Sequence, residues 1–137
     1  MTQPNLLKLP VFNDPRGNLT FLENESQFPF SIKRVYWTFD VPAGDERGGH
    51  AYIEQHELIV ALSGSFDVIV THVDGNAIKY TLNRSYMGLY LPPKTWRHLN
   101  NFSTNALSLH LSSHNYDESD YIRDFERFKV LKNGAAK

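Results

Sequence analysis

Apolar and polar residues alternate with a period of two along most of the chain, and this pattern constrains the fold more than any other feature. The alternation is cleanest in 106–113, where three leucines fall on one face and a histidine between two serines falls on the other. An Asp-Gly pair at 74–75 predicts a hairpin turn. Further strands, rich in β-branched and aromatic residues, are predicted within 19–23, 32–39, 58–62, 63–70 and 88–93. Short strands separated by turn residues predict an all-β fold, either a sandwich or a small barrel.

One segment near the C-terminus follows a helical period instead. Residues 116–128 carry an apolar stripe made of Tyr121, Ile122, Phe125 and Phe128. Asp117 stands where it can cap the start of such a helix, and further acidic residues follow in the first turn. We therefore expect one short C-terminal helix packed on the sheet, with 130–137 as a loose tail.

Composition narrows the class of protein. A length of 137 residues suits one domain, here 1–137, with a core that needs no covalent support. There is no cysteine, which excludes disulfides and thiolate chemistry and fits a cytoplasmic location. The net charge of −1 gives no electrostatic reason to expect a nucleic-acid or membrane partner. No apolar run is long enough for a signal peptide or a membrane span.

The stretch RGGHAYIEQHE, at 47–57, concentrates polar chemistry immediately before an apolar strand. If the stretch is extended, His50 and Tyr52 point to the same face, and Glu57 can join them at the mouth of a barrel, where we expect it to bind substrate. Imidazole and phenol both transfer protons, and Arg47 would add a fixed positive charge suited to a phosphate. The alternative is that His50 is an ordinary surface histidine near a strand start.

Six segments, in this order, resemble the sugar 3,4-ketoisomerases of the FdtA/QdtA-like (WxcM-like) group of the cupin superfamily. They are DPRGNLTFLE (14–23), PFSIKRVYW (29–37), RGGHAY (47–52), ALSGSFDVIV (61–70), GLYLPPKTWRHLNNF (88–102) and YDESDYIRDF (116–125). The resemblance implies a double-stranded β-helix, which is a jelly-roll barrel, and a homodimer that exchanges N-terminal strands. It also implies a dTDP-linked keto-sugar as ligand, a role in deoxysugar and surface-glycan synthesis, and no cofactor or metal.

The implied reaction moves a carbonyl from C4 to C3 of a 4-keto-6-deoxyhexose. A base removes the acidic proton at C3, an enediol forms, and a proton returns to C4. The family motif RGxHAH supplies two histidines; here the first is His50 and the second is replaced by Tyr52. The resemblance places Arg97, after a tryptophan, toward the sugar, where a permanent donor can stabilise the enediolate. We therefore expect His50, Tyr52 and Arg97 to be catalytic.

Softer expectations concern the ligand. Arg16 and Arg34 are candidates for contacts with the diphosphate, although the first also suits a turn and the second a solvated strand. Tyr36 shares a face with Arg34 and is expected either to line the pocket or to lie in the core. Trp37, on the opposite face, is expected in the core.

Two alternatives remain open at this point. Loss of the second motif histidine is compatible with a binding module that holds a nucleotide sugar without chemistry. A metal-dependent cupin would need a set such as His50, Glu57 and His98. The spacing favours Arg97 over His98 at the late-histidine position of the motif, and an arginine does not ligate a cation.

Overall fold

The computed structural model describes residues 1–135, in which twelve β-strands, one 3₁₀ turn and one α-helix are found. The strands are β1 (Asn5–Lys8), β2 (Val11–Phe12), β3 (Leu19–Thr20), β4 (Arg34–Thr38), β5 (Arg47–Tyr52), β6 (Glu57–Ser63), β7 (Phe66–Thr71), β8 (Ala77–Leu82), β9 (Met87–Leu91), β10 (Trp96–Asn100), β11 (Leu107–Ser112) and β12 (Tyr121–Ile122). The 3₁₀ turn is Glu118–Asp120, and the helix α1 is Phe125–Ala135. The prediction of an all-β chain with one short C-terminal helix is confirmed.

Ten strands form two five-stranded antiparallel sheets. Their orders are β1-β9-β6-β11-β4 and β12-β5-β10-β7-β8, while β2 and β3 pair separately. Strands adjacent in space are often distant in the chain, as expected of a jelly roll. The strand β1 pairs with β9 of its own chain, with Asn5 opposite Tyr90.

The main hydrophobic core fills part of the space between the two sheets. Its buried members include Ile59, Phe66, Val68, Leu89, Leu91 and Phe102. All but Phe102, which lies in the loop after β10, come from strands whose inward positions alternate with outward ones, as the period-two pattern predicts. A second cluster lies on the outer face of the first sheet, where Phe28 and Phe30 from the 21–33 segment cover Leu58 and Val60 of β6.

The expectation that Trp37 lies in the core is wrong. Its side chain is 57% exposed, and Val35 of β4 and Phe39, which directly follows the strand, are exposed as well. The reason is that β4 is the edge strand of its sheet, beyond the part of the outer face that the 21–33 segment covers. This leaves an apolar strip on the protein surface.

A bulge in β5 controls which side chains face the interior. Arg97 of β10 lies opposite His50, but Leu99 lies opposite Arg47, so β5 carries one extra residue in this interval. Gly48 supplies the required left-handed backbone, with φ of 74°. Because of the extra residue, Arg47 and His50, three positions apart, line the same cavity.

The C-terminal helix begins later than the sequence predicts. Tyr121 and Ile122 are in β12, which pairs with β5, and Asp117 caps the 3₁₀ turn instead of an α-helix. Asp120 explains the difference, because its buried carboxylate accepts hydrogen bonds from the backbone amides of Glu54 and Gln55 at 2.9 and 3.1 Å. These bonds hold the segment against β5 in extended form.

The segment predicted as a loose tail is helical as far as Ala135, and residues 136 and 137 lie outside the described residues. The helix is held because Leu131 is partly buried beside Phe128, and the Lys132 ammonium donates to the backbone oxygen of Lys94 at 3.0 Å. Within residues 1–135, no helix is both long and apolar enough to cross a membrane.

Candidate active site

A cavity of about 560 Å³ opens between the two sheets, within the size range of small-molecule sites. The first sheet contributes Arg34, Tyr36 and Thr38 of β4, Glu57 of β6 and His110 of β11. The second sheet contributes Arg47, Gly48 and His50 of β5 and Arg97 and Leu99 of β10. The polar row of β4 therefore faces inward, and the predicted alternatives for Tyr36 are resolved in favour of the cavity wall.

His50 lies on the cavity wall and is 6% exposed. Neither of its ring nitrogens has a hydrogen-bond partner among the described residues. Burial, together with the positive charge of Arg97, lowers the pKa of His50 from 6.5 to about 3. The imidazole is therefore neutral at physiological pH, with a lone pair free to accept a proton. The alternative of a surface histidine is wrong.

Glu57 and Arg97 form a buried ion pair at the base of the cavity. The guanidinium donates to Oε1 of Glu57 at 2.6 Å, and the two side chains are 1–2% exposed. Burial alone would raise the pKa of the Glu57 carboxyl, but Arg97, His110 and Tyr36 act against it and hold that pKa well below its usual range. The carboxylate is thus a fixed anion, held by donors of the protein itself.

Two aromatic rings, those of Tyr36 and His110, complete the floor of the cavity. Tyr36 donates its hydroxyl hydrogen to Oε2 of Glu57 at 2.6 Å, and its ring stacks on that of His110 with centroids 4.3 Å apart. Burial and the neighbouring Glu57 carboxylate raise the pKa of Tyr36 well above its ordinary value, so the phenol stays protonated. Glu57 was expected to bind substrate; its oxygens are instead occupied by Tyr36 and Arg97, so it positions these donors.

Tyr52 faces the same way as His50, as strand alternation predicts, but it does not line the cavity. It is 1% exposed and packs between the His50 ring, with centroids 4.8 Å apart, and the Arg97 guanidinium, 4.6 Å from its centroid. Its hydroxyl donates to that of Tyr121 at 3.3 Å and lies 3.5 Å from that of Tyr36. Direct contact of Tyr52 with a substrate carbonyl is therefore not supported, and we assign it a positioning role.

The cavity mouth carries several cations. Arg34, Arg47 and Arg123 all line it, and Arg123 is already paired with Glu118 at 2.8 Å. Within residues 1–135, neither Arg34 nor Arg47 forms an ion pair. The Arg34 Nε atom is buried without a partner among those residues, so a bound anion would satisfy it.

Sequence reasoning missed the aromatic rim. Tyr116 and Tyr121 line the cavity because the segment predicted as helix is instead a 3₁₀ turn followed by β12. The Arg34 guanidinium lies 5.5 Å from the centre of the Tyr116 ring, and Tyr116 is 61% exposed. This segment contributed to the family resemblance, but its apolar spacing predicted a helix and gave no sign that its tyrosines line a cavity.

The structure does not bring Arg16 to the cavity of this chain, so the predicted diphosphate contact is not supported. The residue lies in a turn where the amide of Gly17 donates to the backbone oxygen of Asp14 at 2.9 Å. Its guanidinium donates twice to the carboxylate of Asp14, at 2.9 and 2.8 Å, and the side chain is 90% exposed.

The alternative metal set does not assemble. Within residues 1–135, no three histidine or carboxylate side chains are grouped so that they could hold a metal ion. His98 points away from Arg97, as alternation predicts, and its Nε2 lies 3.7 Å from Glu46. Arg97 occupies the position beside Glu57 where a third ligand would be needed.

A family model described as "FdtA: WxcM-like, C-terminal" matches residues 2–133. A curated relative, TDP-4-oxo-6-deoxy-alpha-D-glucose-3,4-oxoisomerase of Aneurinibacillus thermoaerophilus, is 42% identical over 117 residues, which are 85% of this chain and 83% of the relative.

Two solved structures extend the likeness to the fold. The TDP-quinovose 3,4-ketoisomerase WlaRB of Campylobacter jejuni is 38% identical, with a TM-score of 0.88 over 95% of this chain and 99% of its own. A variant of the 3,4-ketoisomerase QdtA of Thermoanaerobacterium thermosaccharolyticum, in complex with TDP-4-keto-6-deoxyglucose, is 30% identical. Its TM-score is 0.92, over 98% of this chain and 96% of its own.

Proposed function

Because this chain belongs to the FdtA family of WxcM-like proteins, we propose that it is a 3,4-ketoisomerase acting on a dTDP-linked 4-keto-6-deoxyhexose. Its fold is the cupin jelly roll. The observation that carries the proposal is His50, a buried neutral imidazole on the wall of a cavity of about 560 Å³, whose two nitrogens have no hydrogen-bond partner within residues 1–135. A related enzyme of the same fold has been solved with TDP-4-keto-6-deoxyglucose bound.

His50 acts as the base on carbon. It takes the proton from C3, the electrons of the C–H bond move toward the C4 carbonyl, and an enediolate forms. The same imidazolium then returns a proton to C4, so the hexose gains and loses no atoms. A pKa of about 3 makes the His50 imidazole a weak base in its protein surroundings alone. The negative charge of the diphosphate and of the enediolate counteracts Arg97 and raises that pKa when substrate is bound.

Arg97 stabilises the negative charge that develops on the sugar oxygen. It is a permanent donor, is 2% exposed, and lies opposite His50 in the register of β10 and β5. Its ion pair with Glu57 and its packing against Tyr52 fix the guanidinium before substrate arrives. Donors that need not reorganise during the reaction give the largest electrostatic stabilisation of a transition state.

We assign the diphosphate and the thymine base of the ligand to residues at the cavity mouth. Arg34 and Arg47 are assigned to the diphosphate, since both line the cavity and neither has an ion-pair partner among the described residues. The exposed ring of Tyr116, at the rim, is assigned to stacking on the thymine base.

The test is incubation with TDP-4-keto-6-deoxyglucose in D₂O, followed by NMR. We expect conversion to the 3-keto sugar and deuterium at C3 or C4, both lost in His50→Asn. His98→Asn is the matched control, because this partly exposed histidine points away from the neighbouring Arg97. A wild-type protein that neither exchanges nor isomerises, yet binds dTDP in calorimetry, would establish the binding-module alternative instead. Rates of isomerisation and deuterium exchange that are undiminished in His50→Asn would show that His50 is not the base.

A homodimer is part of the proposal. The exposed apolar strip made of Val35 and Trp37 on the edge strand β4, with Phe39 directly after it, supports an interface with a second copy. Exchange of N-terminal strands would replace the pairing of β1 with its own β9 by the same pairing to the partner's β9. Light scattering, with Trp37→Lys as the disrupting variant, tests the dimer. A cytoplasmic location remains a prediction.

A further inference from the structure

A second imidazole reaches the cavity from the opposite sheet. His110 of β11 lines the cavity, is 4% exposed, and has no part in the proposed removal of the C3 proton. Its Nδ1 atom lies 3.5 Å from the Glu57 carboxylate, close enough for electrostatic attraction but without a hydrogen bond, and its Nε2 atom lies 2.9 Å from the hydroxyl of Ser108. The carboxylate favours the tautomer with hydrogen on Nδ1, which leaves Nε2 as an acceptor.

The hydrogen-bond chain continues back to the cavity surface. Ser108 is fully buried, and its hydroxyl is hydrogen-bonded to that of Thr38 at 2.5 Å. Thr38 is on β4, directly opposite Ser108 of β11, and it lines the cavity. A continuous path thus runs from the cavity through the hydroxyls of Thr38 and Ser108 to His110, with Glu57 behind it.

The reaction needs such a path, because the proton on carbon is not the only one that moves. In the enediolate first formed, O3 still carries its hydrogen and O4 carries the charge. Before C4 is protonated and the C3 carbonyl forms, one proton must pass from O3 to O4. His50 is then occupied by the proton taken from carbon, and Tyr52 is hidden from the cavity.

We propose that Thr38, Ser108 and His110 form the relay that carries the proton between the two sugar oxygens, an inference that rests on the proposed ketoisomerase function. The O3–H proton passes to Thr38 as the Thr38 proton passes to Ser108 and that of Ser108 to Nε2 of His110. The Glu57 carboxylate stabilises the imidazolium. The reverse sequence delivers a proton to O4, which lies on the adjacent carbon and within reach of the same hydroxyl. The relay returns to its starting state, and no electrons leave the sugar.

The test separates the two proton transfers. Without the relay, the enediolate still forms and collapses back, so deuterium enters C3 of the recovered substrate while the 3-keto product does not accumulate. We expect Thr38→Val and His110→Gln to lower product formation by about 100-fold, the usual contribution of a positioned proton carrier. The ratio of C3 exchange to product should rise at least about tenfold, and Thr38→Ser should restore it.

Each ratio comes from a single sample, so it does not depend on how much of a variant is folded. Thr71→Val is the matched control, because it makes the same substitution at a half-buried strand threonine that does not line this cavity. A ratio that rises less than about tenfold, including a parallel loss of exchange and product, would overturn the relay. Failure of the wild-type protein to exchange or isomerise would instead reject the proposed function.

Discussion

Acidification below neutral pH is expected to destabilise the protein through His50. Its pKa is 6.5 ordinarily and about 3 in the folded chain, since burial and Arg97 oppose the charged form. Between these values the unfolded chain binds a proton that the folded chain does not, so the free energy of unfolding falls as the pH falls. From about pH 7 to about pH 5, this linkage amounts to about 2 kcal/mol, and the loss levels off only near the folded pKa.

Urea denaturation of the wild-type protein and of His50→Asn at these two pH values isolates the effect. Other ionisable groups contribute to both proteins, whereas asparagine at position 50 does not titrate. The wild-type protein should lose about 2 kcal/mol more of its stability than the variant over this interval. Equal pH dependence in the two proteins would mean that His50 titrates alike in the folded and unfolded chains. The argument for a neutral, desolvated base would then be refuted.

Two further substitutions test the base of the cavity. Glu57→Gln leaves the guanidinium of Arg97 buried without its counter-ion, and we expect a loss of about 3–5 kcal/mol in urea denaturation; a loss below about 1 kcal/mol would show that water already screens the pair. Tyr52→Phe removes a hydroxyl that does not reach the cavity, so we expect kcat to fall by less than about tenfold. A loss as large as that of His50→Asn would restore Tyr52 to direct catalysis.

The strands could be predicted because the alternation that defines them is local. The same is not true of the segment from Tyr116 to Ile122, whose apolar spacing suits a helix. Its conformation is fixed by Asp120, which accepts hydrogen bonds from amides 65 and 66 residues away. The apolar pattern within the segment carries no information about hydrogen bonds to such distant residues.

The candidate site was also predictable only where local sequence determines it. His50 followed from a motif, but its position beside Arg47 depends on a bulge, and the glycine pair does not show which residue is the extra one. The polar face of β11 was visible in the alternation, with His110 between two serines. Whether this face met solvent or a cavity depended on pairing with β4, some 70 residues distant.

The tyrosine at position 52 changes which group can accept the second proton. Burial raises the pKa of Tyr52 and of Tyr36, so both phenols remain protonated and act only as donors. Arg97 lowers the pKa of Glu57 against the effect of burial, which makes this carboxylate a poor acceptor. With His50 engaged at carbon, His110 is a second imidazole on the cavity wall, and its Nε2 atom is connected to the cavity surface through the hydroxyls of Ser108 and Thr38. In the proposed relay, His110 of β11 thus supplies the second imidazole that the motif RGxHAH would place on β5 at position 52.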